Sequence, residues 1–310
     1  MAGIVLLAAG FGDVSAASLR SSDHDSAATA TAAAGWVTAR IGKPARTEVR
    51  GADGTLLAEL TDGARTVTLA GPARSWTEAG SAIDIRTDRW VRLLPAAYDG
   101  IFDAADTAWL AAALDDRSPD ILAVAFQYVS GAAPLSDAGL VIAGDARYGV
   151  AAGADFNDYL GVAWTYGSSI DAPEPAELRA LDCSGFVRMV LGFRFGMRMS
   201  IGASAGALPR RAFEQLASGP GRLMVANSGR QLTSYNNLRA GDLVFFDAST
   251  VDGTAIEHVG IYVGRDAQGH HRFISSRRKA DGPTVGDVGG KSVLDGSGYW
   301  ALAFRAVRRP

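Results

Sequence analysis

The pattern of hydrophobic and polar positions divides the chain into a strand-rich first part, a short helical part and a mixed second half. Between residues 35 and 97, short alternating runs separated by turns containing glycine or proline predict β-strands, with 65–69 and 90–94 as the clearest. Two helices are predicted next. One follows Asp103, and the other begins at 118–120, where a capping serine and a first-turn proline precede a helical apolar pattern.

A buried helix is predicted to begin at Cys183, the only cysteine of the chain. Asp182 is a favourable N-cap residue, and apolar side chains recur at helical spacing across 186–191. The first turn of a helix lowers a thiol pKa, because free backbone N–H groups and the helix dipole stabilise the thiolate. The small residues Ser184 and Gly185 leave space for a substrate carbonyl beside the sulfur. The alternative is that Cys183 is an ordinary small buried residue.

Three strands are predicted after this helix, at 243–246, 258–263 and 271–275. The last two are joined by a short turn bracketed by glycines, which predicts a hairpin. If those glycines pair with each other, His258 lies directly opposite Ser275, and cross-strand partners are about 5 Å apart at Cβ. Ser275 is therefore the predicted partner of the His258 imidazole, the alternative being an ordinary strand serine. A cysteine at a helix start followed by a histidine at a strand start is typical of thiol enzymes of the papain type.

With these motifs in this order, the chain resembles the NlpC/P60 family of cell-wall cysteine peptidases. The matching segments are 182–187, 241–246 and 258–264, together with an aromatic segment at 161–167. The resemblance covers about the C-terminal half of the chain. It implies an α+β, papain-like catalytic domain, in which a helix carrying the cysteine packs on an antiparallel sheet carrying the histidine.

The resemblance also implies roles for individual residues. Cys183 is expected to be the nucleophile, His258 the general base and Ser275 the third residue, at a position that is often histidine in the family. Trp164 and Tyr166 are expected to line the approach to the active site. In the family the first residue of this aromatic pair is usually tyrosine, whereas here it is Trp164. Ser184 is expected to contact substrate as well.

Composition and charge argue against some classes of protein but do not identify the function. The chain has 310 residues, enough for two modest domains, and its 48% hydrophobic and 20% charged residues are typical of globular proteins. A formal net charge of -3 gives no reason to expect nucleic acid. The sequence has neither a zinc-ligand spacing nor a phosphate-binding loop motif, so no metal or cofactor is predicted. Nothing in it predicts an oligomeric state.

The N-terminal segment, residues 1–34, is predicted to be a signal peptide followed by a linker. It contains an apolar run at 3–11, a small-residue site at 14–16 that is typical of cleavage, and an Ala/Ser-rich stretch at 18–34. The alternative is a simple tail. No apolar run of the chain is long enough to cross a bilayer. A secreted or cell-wall-associated protein is therefore expected.

The remaining chain is predicted to comprise a β-rich, then helical, accessory region at 35–145 and the catalytic domain at 146–310. The accessory region is expected either to position the enzyme and border its cleft or to be a structural extension. A basic cluster at 275–279 is interpreted as a solvated loop, with binding of substrate carboxylates as the alternative. The segment 299–305 is predicted to be a final strand.

The sequence thus predicts a secreted cysteine peptidase that hydrolyses peptide bonds in peptidoglycan stem peptides. One alternative is a weak or inactive protein that only binds the cell wall. Another is an amidase or acyltransferase of the same general fold acting on a different substrate, since one fold hosts several reactions.

Overall fold

The computed structural model describes residues 35–150, 153–249 and 251–310. Within these ranges the chain forms two antiparallel sheets and several short helices, which confirms the predicted α+β class. The predicted signal peptide and linker at 1–34 lie outside the described residues. Among the helices that the structure describes, none combines the length and the apolar character needed to cross a membrane.

The N-terminal sheet is a five-stranded antiparallel meander in the order β1-β2-β3-β4-β5. Its alternating pattern buries one face, which packs with Leu94, Tyr98 and Leu110 in a separate small core. The two clearest predicted strands fall in β4 and β5. The strands are β1 Val37–Gly42, β2 Ala45–Arg50, β3 Leu56–Thr61, β4 Thr66–Thr77 and β5 Asp84–Leu93.

Both predicted helices of the middle region are present, as α1 Ala104–Asp115 and α2 Ile121–Phe126. Asp103 caps α1 as expected. The cap of α2 is Asp120, two residues after the predicted Ser118, because the Asp120 carboxylate accepts from the helix N–H of Ala123 at 2.9 Å. The same carboxylate accepts from the Val91 N–H of β5 at 2.7 Å, so this cap also ties the helix to the first sheet.

The C-terminal sheet has six strands in the order β10-β15-β11-β12-β13-β14. Its inner face packs on the helix that begins at Cys183, in one continuous core with α2. Its strands are β10 Arg222–Val225, β11 Leu243–Phe246, β12 His258–Arg265, β13 His271–Arg277, β14 Gly282–Thr284 and β15 Phe304–Arg309. Two small hairpins lie outside it, β6 Leu135–Asp137 with β7 Leu140–Ala143, and β8 Trp164–Tyr166 with β9 Ser169–Asp171.

The helices of the C-terminal region are short. They are α3 Phe156–Leu160, α4 Cys183–Val187 with its π-helical continuation Arg188–Arg194, α5 Ala212–Ser218 and α6 Tyr299–Ala303. The prediction of a strand over 299–305 is wrong for its first part, because α6 occupies it and β15 begins at Phe304. This helix buries the Trp300 indole against His258, with the ring centroids 4.5 Å apart.

The accessory region and the C-terminal region share packed surfaces. Residues of α2 belong to the same core as the Cys183 helix. Trp76 of β4 stacks on Phe126 of α2 at 5.0 Å, and Ile85 of β5 is fully buried in that core. The packing therefore joins the accessory region to the C-terminal region through β4, β5 and α2.

Candidate active site

Cys183 is the first residue of α4, and Asp182 is its N-cap, with the carboxylate accepting from the Gly185 N–H at 2.7 Å. Gly185 allows α4 to approach the chain before α3, since a Cβ at this position would lie 2.3 Å from the carbonyl oxygen of Ala154. The local sequence thus fixes both the start of the helix and the depth at which the thiol lies.

Ser184, which was expected to contact substrate, is engaged inside the protein. Its hydroxyl accepts from Arg210 Nη1 at 2.7 Å and lies 3.1 Å from the Asp182 carboxylate. Arg210 in turn forms an ion pair with Asp182 at 2.8 Å. This buried network secures the cap of α4, and the geometry gives the Ser184 hydroxyl a structural partner on either side.

The thiol of Cys183 lies beside the start of β12. Its Sγ donates to the carbonyl oxygen of Glu257, the residue before His258, at 3.7 Å. Burial, followed by the negative charge of Asp182, raises the pKa of Cys183 to about 12. The backbone N–H groups of Val259 and Ser184 act in the opposite direction and are outweighed. The structure thus corrects the predicted lowering of the thiol pKa, since loss of water outweighs the position at the helix start.

His258 is the first residue of β12, and its Nε2 lies 3.0 Å from Ser275 Oγ of β13. With Nε2–H donating to Ser275, the other ring nitrogen, Nδ1, is the one that can accept a proton. The ring is flanked by Trp300 and by Phe246, whose centroid is 5.8 Å away. Burial, with a smaller contribution from the charge of Arg277, lowers the pKa of His258 to about 3. The imidazole is therefore neutral at neutral pH.

The hairpin register differs from the prediction. A bulge after Tyr262 shifts the pairing so that Tyr262 faces Phe273 and Ile261 faces Ile274. His258 therefore reaches Ser275 along the diagonal between the strands rather than from directly opposite. Gly260 leaves the room for this contact, because a Cβ there would lie 3.1 Å from the Ser275 Cβ and 2.8 Å from the Ile274 carbonyl oxygen.

A cleft of about 630 Å³ opens in front of His258. Tyr148 forms one wall, and its pKa is raised to about 12 by burial and by its proximity to Cys183 and Asp182. Sequence analysis did not select Tyr148, although the family resemblance begins near it. The other lining residues are Arg277, Arg278, Lys279, Gly289, Gly290, Tyr299 and Trp300.

Trp164 and Tyr166 line a different depression, of about 800 Å³, beside the π-helical segment and residues 196–204. The Trp164 ring packs edge-on against Phe156 at 4.9 Å, and the Tyr166 hydroxyl accepts from Arg188. The structure does not bring this aromatic pair to the cleft of His258. The expectation that they line the approach to Cys183 stays a prediction, and the structure places their hairpin at this second depression.

The environment of the thiol predicts how it reacts in the free protein. Since burial keeps Cys183 protonated and His258 neutral, the rate of alkylation by iodoacetamide should rise with pH through and beyond the range of an ordinary thiol, which titrates near about 8.5. Enzymatic activity should fall in step with alkylation. A rate that is already maximal at pH 6 would contradict the protonated resting state, and retention of activity after full alkylation would contradict a role for the thiol.

Comparison with known proteins gives one family. Residues 161–284 match the model of the NlpC/P60 family, a range that contains Cys183, His258 and Ser275. A probable endopeptidase of Haemophilus influenzae is 34% identical over 131 residues, which cover 42% of this chain and 60% of that protein. The chain thus spans less than two thirds of this relative's length.

Solved structures with similarity include an NLP/P60 family protein of Staphylococcus aureus described as similar to lipoprotein. It is 20% identical, with a TM-score of 0.28 and coverage of 70% of this chain and 50% of that one. NlpC2 of Trichomonas vaginalis is 15% identical, with a TM-score of 0.31 and coverage of 89% and 80%.

Proposed function

We propose, because residues 161–284 match the NlpC/P60 family model, that the chain is a cysteine peptidase that hydrolyses peptide bonds in peptidoglycan stem peptides. The observation that carries the proposal is that a thiol, an imidazole and a hydroxyl lie along one path of hydrogen bonds and adjacent residues at the start of β12. Cys183 Sγ is bonded to the backbone of Glu257, the next residue is His258, and the His258 ring is held by Ser275 at 3.0 Å. A thiol, a base and an orienting group in this order are the groups that nucleophilic catalysis requires.

The proposed reaction begins from a neutral thiol and a neutral imidazole. As Cys183 Sγ attacks the scissile carbonyl carbon, the thiol proton moves to Nδ1 of His258. The tetrahedral species collapses to an acyl-thioester when the C–N bond breaks, and His258 gives its proton to the leaving amine. His258 then takes a proton from water, and the water oxygen bonds to the acyl carbon. The C–S bond breaks, His258 gives the proton back to the Cys183 sulfur, and the free carboxylic acid is released.

Tyr148 is the proposed side-chain donor to the developing oxyanion, together with the backbone N–H of Cys183 at the helix start. Its phenol stays protonated, which a donor requires, and it is close enough to Cys183 for the two groups to interact electrostatically. Tyr148→Phe should lower kcat about 10- to 100-fold with a small change in KM, as measured by steady-state kinetics. Tyr299→Phe is the matched control, because the Tyr299 hydroxyl of the same cleft is engaged by the Ala248 carbonyl. Equal losses in both variants would contradict the assignment.

Ser275 is the proposed third residue, acting on the orientation of the His258 ring. Its side chain is fully buried, and an alanine fits the same space without a steric clash. Ser275→Ala should lower kcat about 10-fold or more while the melting temperature changes little, because only the ring orientation is lost. Ser275→Thr keeps the hydroxyl and should retain more activity than the alanine variant. Full activity of Ser275→Ala in the same kinetic assay would exclude the positioning role.

The cleft is cationic on one side, which favours an acidic peptide substrate. Arg277, Arg278 and Lys279 line it, and none of the described residues that line the cleft is an aspartate or a glutamate. Arg277 is buried, and its Nε has no hydrogen-bond partner among the described residues. Burial lowers the pKa of Arg277 to about 10, so it is still cationic at neutral pH. Stem peptides of peptidoglycan carry carboxylates close to their peptide bonds, which this wall would complement.

The accessory sheet contacts the loop that packs against Arg277. Glu78, which follows β4, accepts from the N–H groups of Val285 and Gly286 at 2.8 and 3.2 Å. The carbonyl of Gly286 accepts from Arg277 Nη2 at 3.2 Å. This chain of contacts supports the expectation that the accessory region borders the cleft.

The experiment that tests the proposal uses soluble stem peptides in buffer with and without an added primary amine, with products read by mass spectrometry. A hydrolase gives the free acid in both conditions. Formation of the new amide would favour the acyltransferase alternative, and binding without any product would favour the wall-binding alternative. A secreted or wall-associated location is part of the proposal, and recovery of the native protein only from the cytoplasmic fraction of its cells would contradict that part.

A further inference from the structure

Three carboxylates meet where β11 ends and β12 begins. They belong to Asp247, Asp252 and Glu257, and one oxygen from each lies within 4.8 Å of the others. Asp247 directly follows β11 and Glu257 directly precedes β12. Their positions are set by the sheet, because the Asp247 N–H donates to Ala303 at 3.0 Å and the Glu257 N–H donates to Phe246 at 3.2 Å.

Two oxygens of this cluster are buried without a donor. Asp247 is only 7% exposed, and while its Oδ2 accepts from Arg305 at 3.1 Å, its Oδ1 is enclosed and has no hydrogen-bond partner among the described residues. Glu257 repeats the pattern. Its Oε2 accepts from the Ala248 N–H at 2.7 Å, and its Oε1 is enclosed without a partner. Ionised oxygens withdrawn from water without a donor are costly, so each of these oxygens calls for a cation or a proton.

The local charge favours a divalent cation. Arg305 is the guanidinium that pairs with the cluster, so three carboxylates and one guanidinium leave two negative charges. A bound ion of charge two would balance the cluster and satisfy both enclosed oxygens.

We infer that Asp247, Asp252 and Glu257 form a cation site suited to Ca²⁺. All three ligands are carboxylate oxygens, which Ca²⁺ and Mg²⁺ both prefer. Asp247 and Glu257 flank strands of the sheet, whereas Asp252 lies in an exposed loop. Ca²⁺ accepts such an irregular ligand arrangement, whereas Mg²⁺ requires a nearly ideal octahedron. With water completing the coordination, a dissociation constant of about 10⁻⁴ to 10⁻³ M is expected.

The site does not depend on the proposed peptidase activity, although it adjoins the candidate active site. Glu257 binds the ion through its side chain and accepts from the Cys183 thiol through its backbone carbonyl. An ion that joins Glu257 to Asp247 would fix the two strand ends next to His258. Calcium binding can therefore be measured on the protein without any substrate.

The test uses Tb³⁺, a luminescent probe for calcium sites, with the wild type, Asp252→Asn and Asp137→Asn. Asp252 is exposed, so its amide variant should fold, and Asp137 is an exposed aspartate of the β6–β7 hairpin that serves as the charge-matched control. The Tyr299 hydroxyl donates to the Ala248 carbonyl, which places an aromatic ring next to the site for sensitised emission. The melting temperature of the wild type is measured in parallel with CaCl₂ and with MgCl₂.

The expected result is a saturable terbium signal that Ca²⁺ displaces, with at least about 10-fold weaker binding in Asp252→Asn and unchanged binding in Asp137→Asn. CaCl₂ should raise the melting temperature more than equimolar MgCl₂. The inference is overturned by a wild type without saturable binding, by equal binding in Asp252→Asn, or by a melting temperature that Ca²⁺ leaves unchanged. If Asp252→Asn melts higher than the wild type and neither responds to Ca²⁺, the cluster holds a shared proton instead.

Discussion

Replacing His258 with glutamine is expected to lower kcat about 10³-fold or more. Glutamine is close in size and can still bond to Ser275, but it cannot accept the proton of the Cys183 thiol, whose raised pKa makes a base essential. The measurement is steady-state hydrolysis of a stem peptide. His270→Gln is the matched control, because His270 is an exposed histidine of the neighbouring turn, paired with Asp295 at 2.7 Å, and should keep wild-type activity.

The same variant has a second expected signature, in the pH dependence of stability. The pKa of His258 is about 3 in the folded state against about 6.5 in the unfolded chain, so between these values only the unfolded chain binds the proton. The stability contributed by the neutral imidazole is complete above about pH 6.5 and is lost as the pH falls towards 3. His258→Gln should therefore lose less free energy of unfolding on acidification than the wild type. A variant with undiminished kcat, or with the same acid sensitivity as the wild type, would contradict the buried neutral base.

Replacing Arg277 with methionine is expected to abolish a preference for acidic substrates. The Arg277 side chain lines the cleft beside His258 and is cationic at neutral pH, and an interaction with a charged group is worth about 1.5–3 kcal/mol, or about 10- to 100-fold. We expect kcat/KM for a peptide with a free carboxylate next to the scissile bond to fall by this factor. The rate for the same peptide with that carboxylate amidated should change little.

The ratio of the rates for the free and the amidated peptide distinguishes a loss of carboxylate recognition from a loss of local structure. Arg277 also donates to the Gly290 carbonyl at 2.5 Å and to the Gly286 carbonyl, so its replacement loosens the loop between these residues. A loosened loop would reduce both rates together and leave their ratio unchanged. Arg278→Gln serves as a control for net charge, because it removes an exposed cation of the same cleft. An unchanged ratio in Arg277→Met would contradict carboxylate recognition by this residue.

The parts of the site that local sequence determines were predictable. Asp182 caps the Cys183 helix through one hydrogen bond within four residues, and the apolar pattern after it fixes which face is buried. The strand that begins at His258 follows from its alternation and flanking turns. These signals need no knowledge of the rest of the chain.

The parts that depend on tertiary packing were not predictable. The bulge after Tyr262 changed the register of the hairpin, and only the absence of a side chain at Gly260 kept Ser275 within reach of His258. Tyr148 is close enough to feel the charge of Cys183 from 35 residues upstream, a proximity that no local pattern encodes. The pKa of the thiol depends on how completely neighbouring elements exclude water, which outweighed the effect of the helix start.

The surroundings of the predicted aromatic pair also depend on tertiary packing. Trp164 and Tyr166 match the family segment in sequence, yet the hairpin that carries them turns towards Phe156 and Arg188. The helix α6, which had been expected to be a strand, brings Trp300 against the His258 ring in their place. The aromatic residues of the segment 161–167 therefore did not indicate which rings border the cleft of His258.

The measurement that tests the central claim most directly is digestion of purified peptidoglycan by the wild type beside Cys183→Ala, with fragments identified by mass spectrometry. The thiol is replaced by a small apolar side chain at a buried position, so the fold should be kept. The account predicts new stem-peptide fragments from the wild type and none from the variant, and the fragments would identify the bond. Identical fragments from both proteins, or none from either while both bind the wall, would contradict it.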